Sequence, residues 1–211
     1  FHVRSRSGVA ARTDADAIDA AVSGMGDISL TNLRAVTLNA DAADGDIAVT
    51  SLGSLTAPRV ETHGASGLNS VSLSAESPAP GTMSHLVLGS IVSGSSGDLT
   101  LKAQGAITGA LGGVLVADEL VVEAWMGLNL ATKVNRATLK SHVAGDMSIA
   151  QQGTATLTLS ASVRDGGLTV IHPGGSVVLE DVVLQTNDDA NDVTVTAGGD
   201  IFVGRLSAGM Y

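Results

Sequence analysis

Apolar and polar residues alternate along most of this chain in short segments that turn residues separate. Residues 156–159 and 193–195 are examples, reading Thr-Leu-Thr-Leu and Val-Thr-Val. Alternation over three to five residues between clusters of Gly, Pro, Asn and Asp is typical of half-buried β-strands. No segment shows a helical period over three turns. The pattern therefore predicts an all-β protein.

One short phrase, Gly-Asp followed by an apolar, a non-charged and an apolar residue, occurs five times. A Gly-Asp pair favours a tight turn, and the triplet after it alternates like a strand. The repeated turn and strand indicate a repeated packing environment, as in a stacked solenoid. The five copies begin at Gly26, Gly45, Gly97, Gly145 and Gly199.

The spacing of equivalent strands indicates the type of β fold. The interval from Ile28 to Ile47 is 19 residues, that from Met147 to Leu168 is 21, and that from Leu168 to Val193 is 25. A period of about 20 to 25 residues is typical of one coil of a parallel β-helix, with two or three faces per coil. Gaps of 52, 48 and 54 residues between later phrases are interpreted as two coils each. An antiparallel β-sandwich is the alternative, because it also contains short alternating strands.

Two segments interrupt this rhythm. The first, Ser74 to Thr82, contains Pro78 and Pro80, which cannot donate to a strand ladder, so a loop is predicted there. The second, Asp118 to Lys140, carries the only tryptophan and more charge than its neighbours. It predicts either a coil with an inserted turn or a short helix.

Composition supports one narrow solenoid rather than a compact globule. Aromatic residues make up 2% of the 211 residues, so the interior must be filled by aliphatic side chains. The net charge of −10 disfavours nucleic acid and anionic membranes as partners. No apolar run is long enough to span a membrane. Because Arg4, Arg6 and Arg12 precede the first acidic residue, we predict a basic N-terminal tail at residues 1–12 and a single solenoid domain at residues 13–211.

The chain contains no cysteine, which excludes disulfides, thiolate catalysis and cysteine-bound metals. Long bacterial surface proteins commonly lack cysteine, so we expect a bacterial, exported protein at the cell surface or outside the cell. The first residue is Phe1 rather than methionine. This indicates a processed product or a segment of a longer protein.

Residues 13–49 carry a resemblance to a known family. They read Thr-Asp-Ala-Asp-Ala-Ile, then Gly-Asp-Ile-Ser-Leu, Ala-Val-Thr-Leu-Asn-Ala and Gly-Asp-Ile-Ala-Val. This pattern resembles the repeats of large bacterial surface adhesins of the filamentous-haemagglutinin type, and the likeness extends over most of the chain. The resemblance implies a right-handed parallel β-helix, export to the cell surface, and an adhesive or structural role. It brings no catalytic residues.

Clusters of acidic residues in turns are the first candidate chemistry. Calcium needs six to eight oxygen ligands, and several carboxylates on one turn supply some of them. The spacing fits neither an EF-hand nor a calcium β-roll, and Asp and Asn also favour turns for backbone reasons. We therefore predict no cofactor, with calcium as the alternative at the richest cluster, formed by Asn187, Asp188, Asp189 and Asp192.

Carboxylates near the tryptophan provide a second hypothesis. Asp118, Glu119 and Glu123 lie close to Trp125, and a pair of carboxylates is what glycoside cleavage requires. A further acidic pair, Glu180 and Asp181, points to opposite faces if its strand is regular. A solvated face is the favoured interpretation of both groups. A carbohydrate-active or carbohydrate-binding β-helix is the alternative function.

The ends of the chain show no amphipathic helix that would cover the open edges of a solenoid. We therefore expect either head-to-tail association with other copies or continuation within a longer surface protein. The predicted function is a non-enzymatic structural or adhesive element of an extracellular bacterial fibre or surface protein, with itself or surface glycans as partners. The candidate self-association residues are Phe1, His2, Val3, Arg4, Arg6, Phe202 and Tyr211.

Overall fold

In a computed structural model, the chain folds into a β-solenoid of ten coils with two parallel sheets. The structure describes residues 1–64, 67–94, 96–186 and 191–209. Every strand pairing among them is parallel, which confirms the predicted β-helix and excludes the antiparallel sandwich. These residues contain no helix, and so none long and apolar enough to cross a membrane.

Successive strands alternate between the two sheets, so that each coil adds one layer to both. Sheet 1 has the order β1-β3-β5-β7-β9-β11-β14-β16-β18-β20, with β12 beside β9 and β14, and sheet 2 has the order β2-β4-β6-β8-β10-β13-β15-β17-β19-β21. The strands are β1 His2–Ser5, β2 Val9–Thr13, β3 Ala17–Met25, β4 Ile28–Asn32, β5 Val36–Asp44, β6 Ile47–Leu52, β7 Leu55–Thr62, β8 Val71–Glu76, β9 Leu86–Val92, β10 Leu99–Ala103, β11 Ile107–Gly109, β12 Leu115–Val116, β13 Glu119–Ala124, β14 Leu128–Lys133, β15 Arg136–Ser141, β16 Met147–Gln151, β17 Leu157–Val163, β18 Leu168–His172, β19 Val177–Leu184, β20 Val193–Ala197 and β21 Ile201–Ala208.

The predicted repeat intervals correspond to direct partners in the two sheets. Ile28 pairs with Ile47 in sheet 2, and Met147, Leu168 and Val193 follow one another in sheet 1. Two of the three long gaps were interpreted wrongly. The phrase at residue 145 precedes a strand of sheet 1, whereas the other four precede strands of sheet 2, so the gaps of 48 and 54 residues each span two and a half coils.

Inward side chains stack on their equivalents one coil away and form the core. Among the described residues, the buried apolar side chains are aliphatic apart from one methionine, as the low aromatic content predicted. Two inward columns run through sheet 2 from the first coil to the last. The Val9 column consists of Val9, Ile28, Ile47, Val71, Leu99, Leu120, Ala137, Leu159, Leu179 and Val203, and the Leu73 column consists of Ala11, Leu30, Val49, Leu73, Leu101, Val122, Leu139, Ala161, Val182 and Leu206.

Aspartates of the repeated phrase hold successive turns together. The backbone N–H of Asp46 donates to Oδ1 of Asp27 at 2.9 Å, and that of Ser70 donates to Oδ1 of Asp46 at 2.8 Å. The N–H of Asp98 in turn donates to Oγ of Ser70 at 3.3 Å. Each side chain thus satisfies an amide of the next coil, which explains why this residue type recurs in the turn.

The N-terminal boundary differs from the prediction. Residues 1–12 are not a separate tail, because β1 pairs with β3 and β2 pairs with β4 as the first coil of the solenoid. The inward positions Val9 and Ala11 continue the core pattern, while Arg4 and Arg12 are exposed on the outer surface. Alternation rather than charge therefore decides the structure of this segment.

The two predicted interruptions are also located. Strand β8 continues to Glu76, so the proline-containing loop spans residues 77–85 rather than beginning at Ser74. Residues 118–140 form parts of three strands, β13, β14 and β15, and no helix. The additional charged residues there lie on outward positions of regular coils.

Candidate functional site

Trp125 lies at the corner that follows strand β13. Its backbone N–H donates to the carbonyl oxygen of Ala103 at 2.9 Å, and its own carbonyl accepts from the N–H of Val143 at 2.9 Å. These bonds to the coils on either side fix the corner. The indole is 40% exposed, and it stacks on the ring of His142 with centroids 4.5 Å apart. The indole is therefore held in a fixed position and keeps part of its surface exposed to solvent.

A cleft opens between this ring and the proline-containing loop. A cavity of about 430 Å³ is lined by residues 77–83, Gln104 and Trp125. An adjoining depression of about 160 Å³ shares Gln104 and Trp125, and it is also lined by Glu76, Lys102 and Glu123. We call the two together the Trp125 cleft. The larger cavity falls within the size range of small-molecule sites.

The loop wall of the cleft is held by hydrogen bonds to its own residues and to the neighbouring coil. The Ser77 N–H donates to Oε1 of Gln104 at 2.7 Å, and the Ser77 hydroxyl contacts that of Thr82 and donates to the Ala79 carbonyl at 2.6 Å. Ser84 Oγ donates to the carbonyl of Glu76 at 2.9 Å. Gln104 lines both parts of the cleft, and its Nε2 group makes no hydrogen bond to the described residues, so it can donate to a ligand.

Glu123 links the aromatic stack to the sheet. Its Oε1 lies 2.6 Å from Nε2 of His142, and Lys102 and Lys140 place their Nζ atoms 3.7 Å and 3.9 Å from its carboxylate. The hydrogen bond from His142 holds the pKa of Glu123 below its usual range against the opposing effect of burial, and electrostatic interactions with His142, Lys102 and Lys140 also lower it. The carboxylate is an ionised acceptor at neutral pH.

We expect Glu123 to titrate below the ordinary range of a glutamate. Since its pKa is lowered in the folded state, the contact contributes stability above the unfolded pKa, and that contribution is lost as pH falls through the folded value. An NMR titration of the Glu123 carboxyl carbon measures this midpoint. His142→Ala should raise the midpoint more than Lys102→Met does, because the hydrogen bond is the larger cause. An ordinary midpoint unchanged in His142→Ala would contradict the assignment.

Only one of the three predicted glycoside-cleaving carboxylates, that of Glu123, lies in the Trp125 cleft. Glu119 and Glu123 occupy outward positions of β13 four residues apart, which separates their Cα atoms by about 13 Å. Asp118 lies beyond Glu119 and accepts from the side chain of Asn135 at 2.7 Å. Of this cluster, only Glu123 and Trp125 share the cleft.

The second predicted carboxylate pair lies at a strand irregularity. The register between β17 and β19 shifts near Glu180 and Asp181, and both side chains are exposed rather than on opposite faces. Each has its own cationic partner, since Arg136 lies 3.1 Å from Glu180 and Arg205 lies 3.5 Å from Asp181. They are separate ion pairs on the surface.

The acidic turns differ in how much of them the structure describes. Of the calcium candidates, Asn187, Asp188 and Asp189 lie outside the described residues, and Asp192 is exposed while its carbonyl accepts from the N–H of Leu168. In another acidic turn, Arg34 pairs with Asp14 at 2.8 Å and Asp16 at 3.1 Å. The calcium hypothesis remains a prediction for residues 187–192.

A third polar cluster, which the sequence did not single out, lies on the outer face of sheet 1. Ligand atoms of Asp41, Glu61 and His63 lie within 4.8 Å of one another. Nη2 of Arg59 lies 2.6 Å from Glu61 and 3.5 Å from Asp41. The Arg59 hydrogen bond lowers the pKa of Glu61. The guanidinium is already the cationic partner of both carboxylates.

The predicted self-association residues separate into paired and unpaired groups. The N-terminal ammonium of Phe1 donates to Ala17 at 2.8 Å, His2 pairs with Asp19 at 3.0 Å and accepts from Arg4 at 3.1 Å, and Val3 packs against the core. Arg6 is exposed in the turn between β1 and β2. Phe202 is exposed on the last strand, and Tyr211 lies outside the described residues.

The last strand exposes inward positions that were not predicted as candidate interface residues. Ile201, Val203 and Leu206 are 46%, 54% and 48% exposed, although they occupy core columns. The sequence motifs also gave no sign that Glu76, Lys102, Gln104 and His142 lie beside Trp125. Coil spacing is the signal that would have found Lys102, because it is the direct partner of Glu123 in the neighbouring coil.

Comparison with known proteins found no matching family model, no similar curated protein and no similar solved structure.

Proposed function

We propose that this chain is a non-enzymatic structural or adhesive element of an extracellular bacterial fibre or surface protein, in which solenoids stack end to end. The observation that carries the proposal is the exposed core of the last coil, at Ile201, Val203 and Leu206. Exposed apolar side chains beside a strand edge favour association with another strand, supplied by a second copy or by the remainder of a longer surface protein. The surface location rests on the resemblance to adhesin repeats and on the lack of cysteine.

The first coil of a second copy fits this edge in phase. Val9 and Val203 belong to one inward column, and Ala11 and Leu206 belong to another. Strand β21 has one more residue between these columns than β2, as β19 has relative to β17. With a bulge at this extra residue, like the one between β17 and β19, the continued ladder places Val203 on Val9 and Leu206 on Ala11, so that apolar positions meet apolar positions. Because the contact joins different surfaces, it repeats without closing and produces a filament.

Charge distribution supports the same arrangement. The first coil carries Arg4, Arg6 and Arg12 before any acidic residue. The last two coils are rich in acid, with one basic residue, Arg205. Their acidic residues are Glu180, Asp181, Asp188, Asp189, Asp192 and Asp200. Opposite net charges at the two ends favour head-to-tail encounters over head-to-head encounters.

We expect the purified 211-residue chain to self-associate with rising concentration in sedimentation velocity. Leu206→Asp should remain monomeric, because it places a charge where the next coil would bury an apolar side chain. Leu111→Asp is the matched control, since Leu111 is fully exposed in the turn between β11 and β12. A wild-type chain that stays monomeric throughout, or equal behaviour of the two variants, would refute stacking.

Cysteine pairing tests the register of the same contact. In the continued ladder Ala10 lies opposite Arg205, and Arg12 lies opposite Ser207. A mixture of Ala10→Cys and Arg205→Cys should form a disulfide dimer under mild oxidation, and the chain has no cysteine of its own to compete. Arg12→Cys mixed with Arg205→Cys should crosslink less. Equal yields would contradict the proposed register.

The enzymatic alternative requires a separate test. Incubation with neutral and acidic polysaccharides, followed by reducing-sugar analysis, should show no release of product. Release that is lost in Glu119→Gln or Glu123→Gln would refute the non-enzymatic proposal. The position of Glu119 outside the Trp125 cleft supports the expected negative result.

A further inference from the structure

We propose that the Trp125 cleft binds a neutral saccharide, with the indole as the stacking surface for a sugar ring. This inference deepens the adhesive part of the proposed function by naming a ligand class. It rests on that function only for the extracellular location, where glycans are available as ligands. The cleft lies on the side of the solenoid and does not include the end residues.

The exposed ring is held rigidly, as a stacking surface must be. The backbone of residue 125 is bonded to both neighbouring coils, and the His142 ring covers part of the indole. His142 is itself held by Glu123 at 2.6 Å. A ring fixed in this way loses little conformational freedom when a ligand binds, which favours affinity.

The surroundings extend the apolar surface on the loop side. Met83 is exposed in the loop wall, and Pro78 and Pro80 line the same cavity. Met126, next to Trp125 in the chain, is also exposed. The C–H face of a pyranose ring is apolar, and it gains from contact with such surfaces when water is excluded.

The polar groups of the cleft distinguish a saccharide from other ligands. Acceptors are the carboxylates of Glu76 and Glu123, and donors are Nε2 of Gln104 and the ammonium group of Lys102. Sugar hydroxyls both donate and accept, so they match such a mixed set. An anionic ligand would face two carboxylates, and a cationic ligand would face Lys102. A neutral, hydroxyl-rich ligand avoids both repulsions.

The cleft spans three coils, which fits a chain of sugars rather than a single small molecule. Glu76 lies at the end of β8, Lys102 on β10 and Glu123 on β13, and these strands are consecutive in sheet 2. Adjacent strands lie about 4.8 Å apart, so the polar groups extend along the solenoid axis over roughly 10 Å. We therefore expect oligosaccharides to bind more tightly than monosaccharides.

Titration calorimetry with cellohexaose, xylohexaose and mannohexaose tests the proposal, with glucose as the monosaccharide and oligogalacturonate as the acidic comparison. We expect at least one neutral hexasaccharide to bind and to change Trp125 fluorescence. Trp125→Ala should weaken binding at least about tenfold, Trp125→Phe less, and Gln104→Ala by a smaller factor. Leu111→Ala, at an exposed apolar residue outside the cleft, should bind like the wild type.

Three results with saccharides would overturn the inference. The first is that no neutral oligosaccharide binds at millimolar concentration. The second is that Trp125→Ala, with a normal circular dichroism spectrum, binds as tightly as the wild type, and the third is that oligogalacturonate binds more tightly than the neutral oligosaccharides. Preference for tetramethylammonium, which would indicate a cation site on the indole, would overturn it as well. Measuring the monomeric Leu206→Asp variant separates the two proposals. Its binding should be unchanged, so that loss of stacking and loss of sugar binding are read independently.

Discussion

Replacing Gly145 with alanine is expected to lower the free energy of unfolding by about 3 kcal/mol or more. Gly145 has a φ of +144°, which disfavours every residue with a side chain. A Cβ at this position would also meet the backbone of Gly127 in the neighbouring coil, 2.8 Å from its Cα. Two costs therefore add, one from backbone strain and one from separating adjacent coils.

Urea denaturation followed by circular dichroism measures the global effect, and hydrogen exchange locates it. We expect reduced amide protection centred on β14 and β16, because the coils of a solenoid contact mainly their neighbours. Gly112→Ala is the matched control. Gly112 also has a positive φ, +79°, but no atom lies within 4 Å of its added Cβ. Similar losses for both variants would show that the close approach of coils is not what requires glycine at 145.

The coil spacing was predictable because it depends on local properties of the sequence. Alternation and turn residues fix where each strand starts, and strands one coil apart then become direct partners, as with Ile28 and Ile47. The corner occupied by each turn was not predictable. The same Gly-Asp turn precedes β4 in sheet 2 and β16 in sheet 1, because both corners require the same close packing of coils.

Buried polar residues show a second limit of the pattern. Asn32 and Gln151 are buried at positions where alternation predicts apolar side chains. Asn32 makes four hydrogen bonds at its corner, which include bonds from its Nδ2 to the carbonyls of Ala15 and Arg34. These residues satisfy backbone groups where the chain turns between sheets. Which corner contains such a residue depends on tertiary contacts.

The Trp125 cleft was only partly predictable. The sequence drew attention to Trp125 and Glu123 as a rare aromatic residue near acids, but it grouped them with Asp118 and Glu119, which do not line the cleft. The partners come from other coils. Gln104 is brought beside Trp125 by the solenoid register. Such neighbours depend on the length of each coil, which varies along this chain.

Replacement of Leu73 with alanine is expected to cost about 2 to 5 kcal/mol, whereas Leu206→Ala in the monomer should cost less than about 1 kcal/mol. Both residues occupy the same inward column. Leu73 is fully buried between two coils, and Leu206 is 48% exposed on the last strand. The same truncation thus leaves a cavity at Leu73, but at Leu206 it removes a side chain that is already half exposed to solvent. Urea denaturation at low protein concentration measures both values.

Repeating the denaturation of both variants at higher protein concentration tests whether the last coil is covered by a second copy. If a second copy covers the last coil, Leu206 becomes buried against Ala11 of that copy, and the cost of Leu206→Ala should rise with concentration. The cost of Leu73→Ala should not change, because its neighbours belong to the same chain. A Leu206→Ala cost that is independent of concentration while the wild type self-associates would place the contact elsewhere on the solenoid.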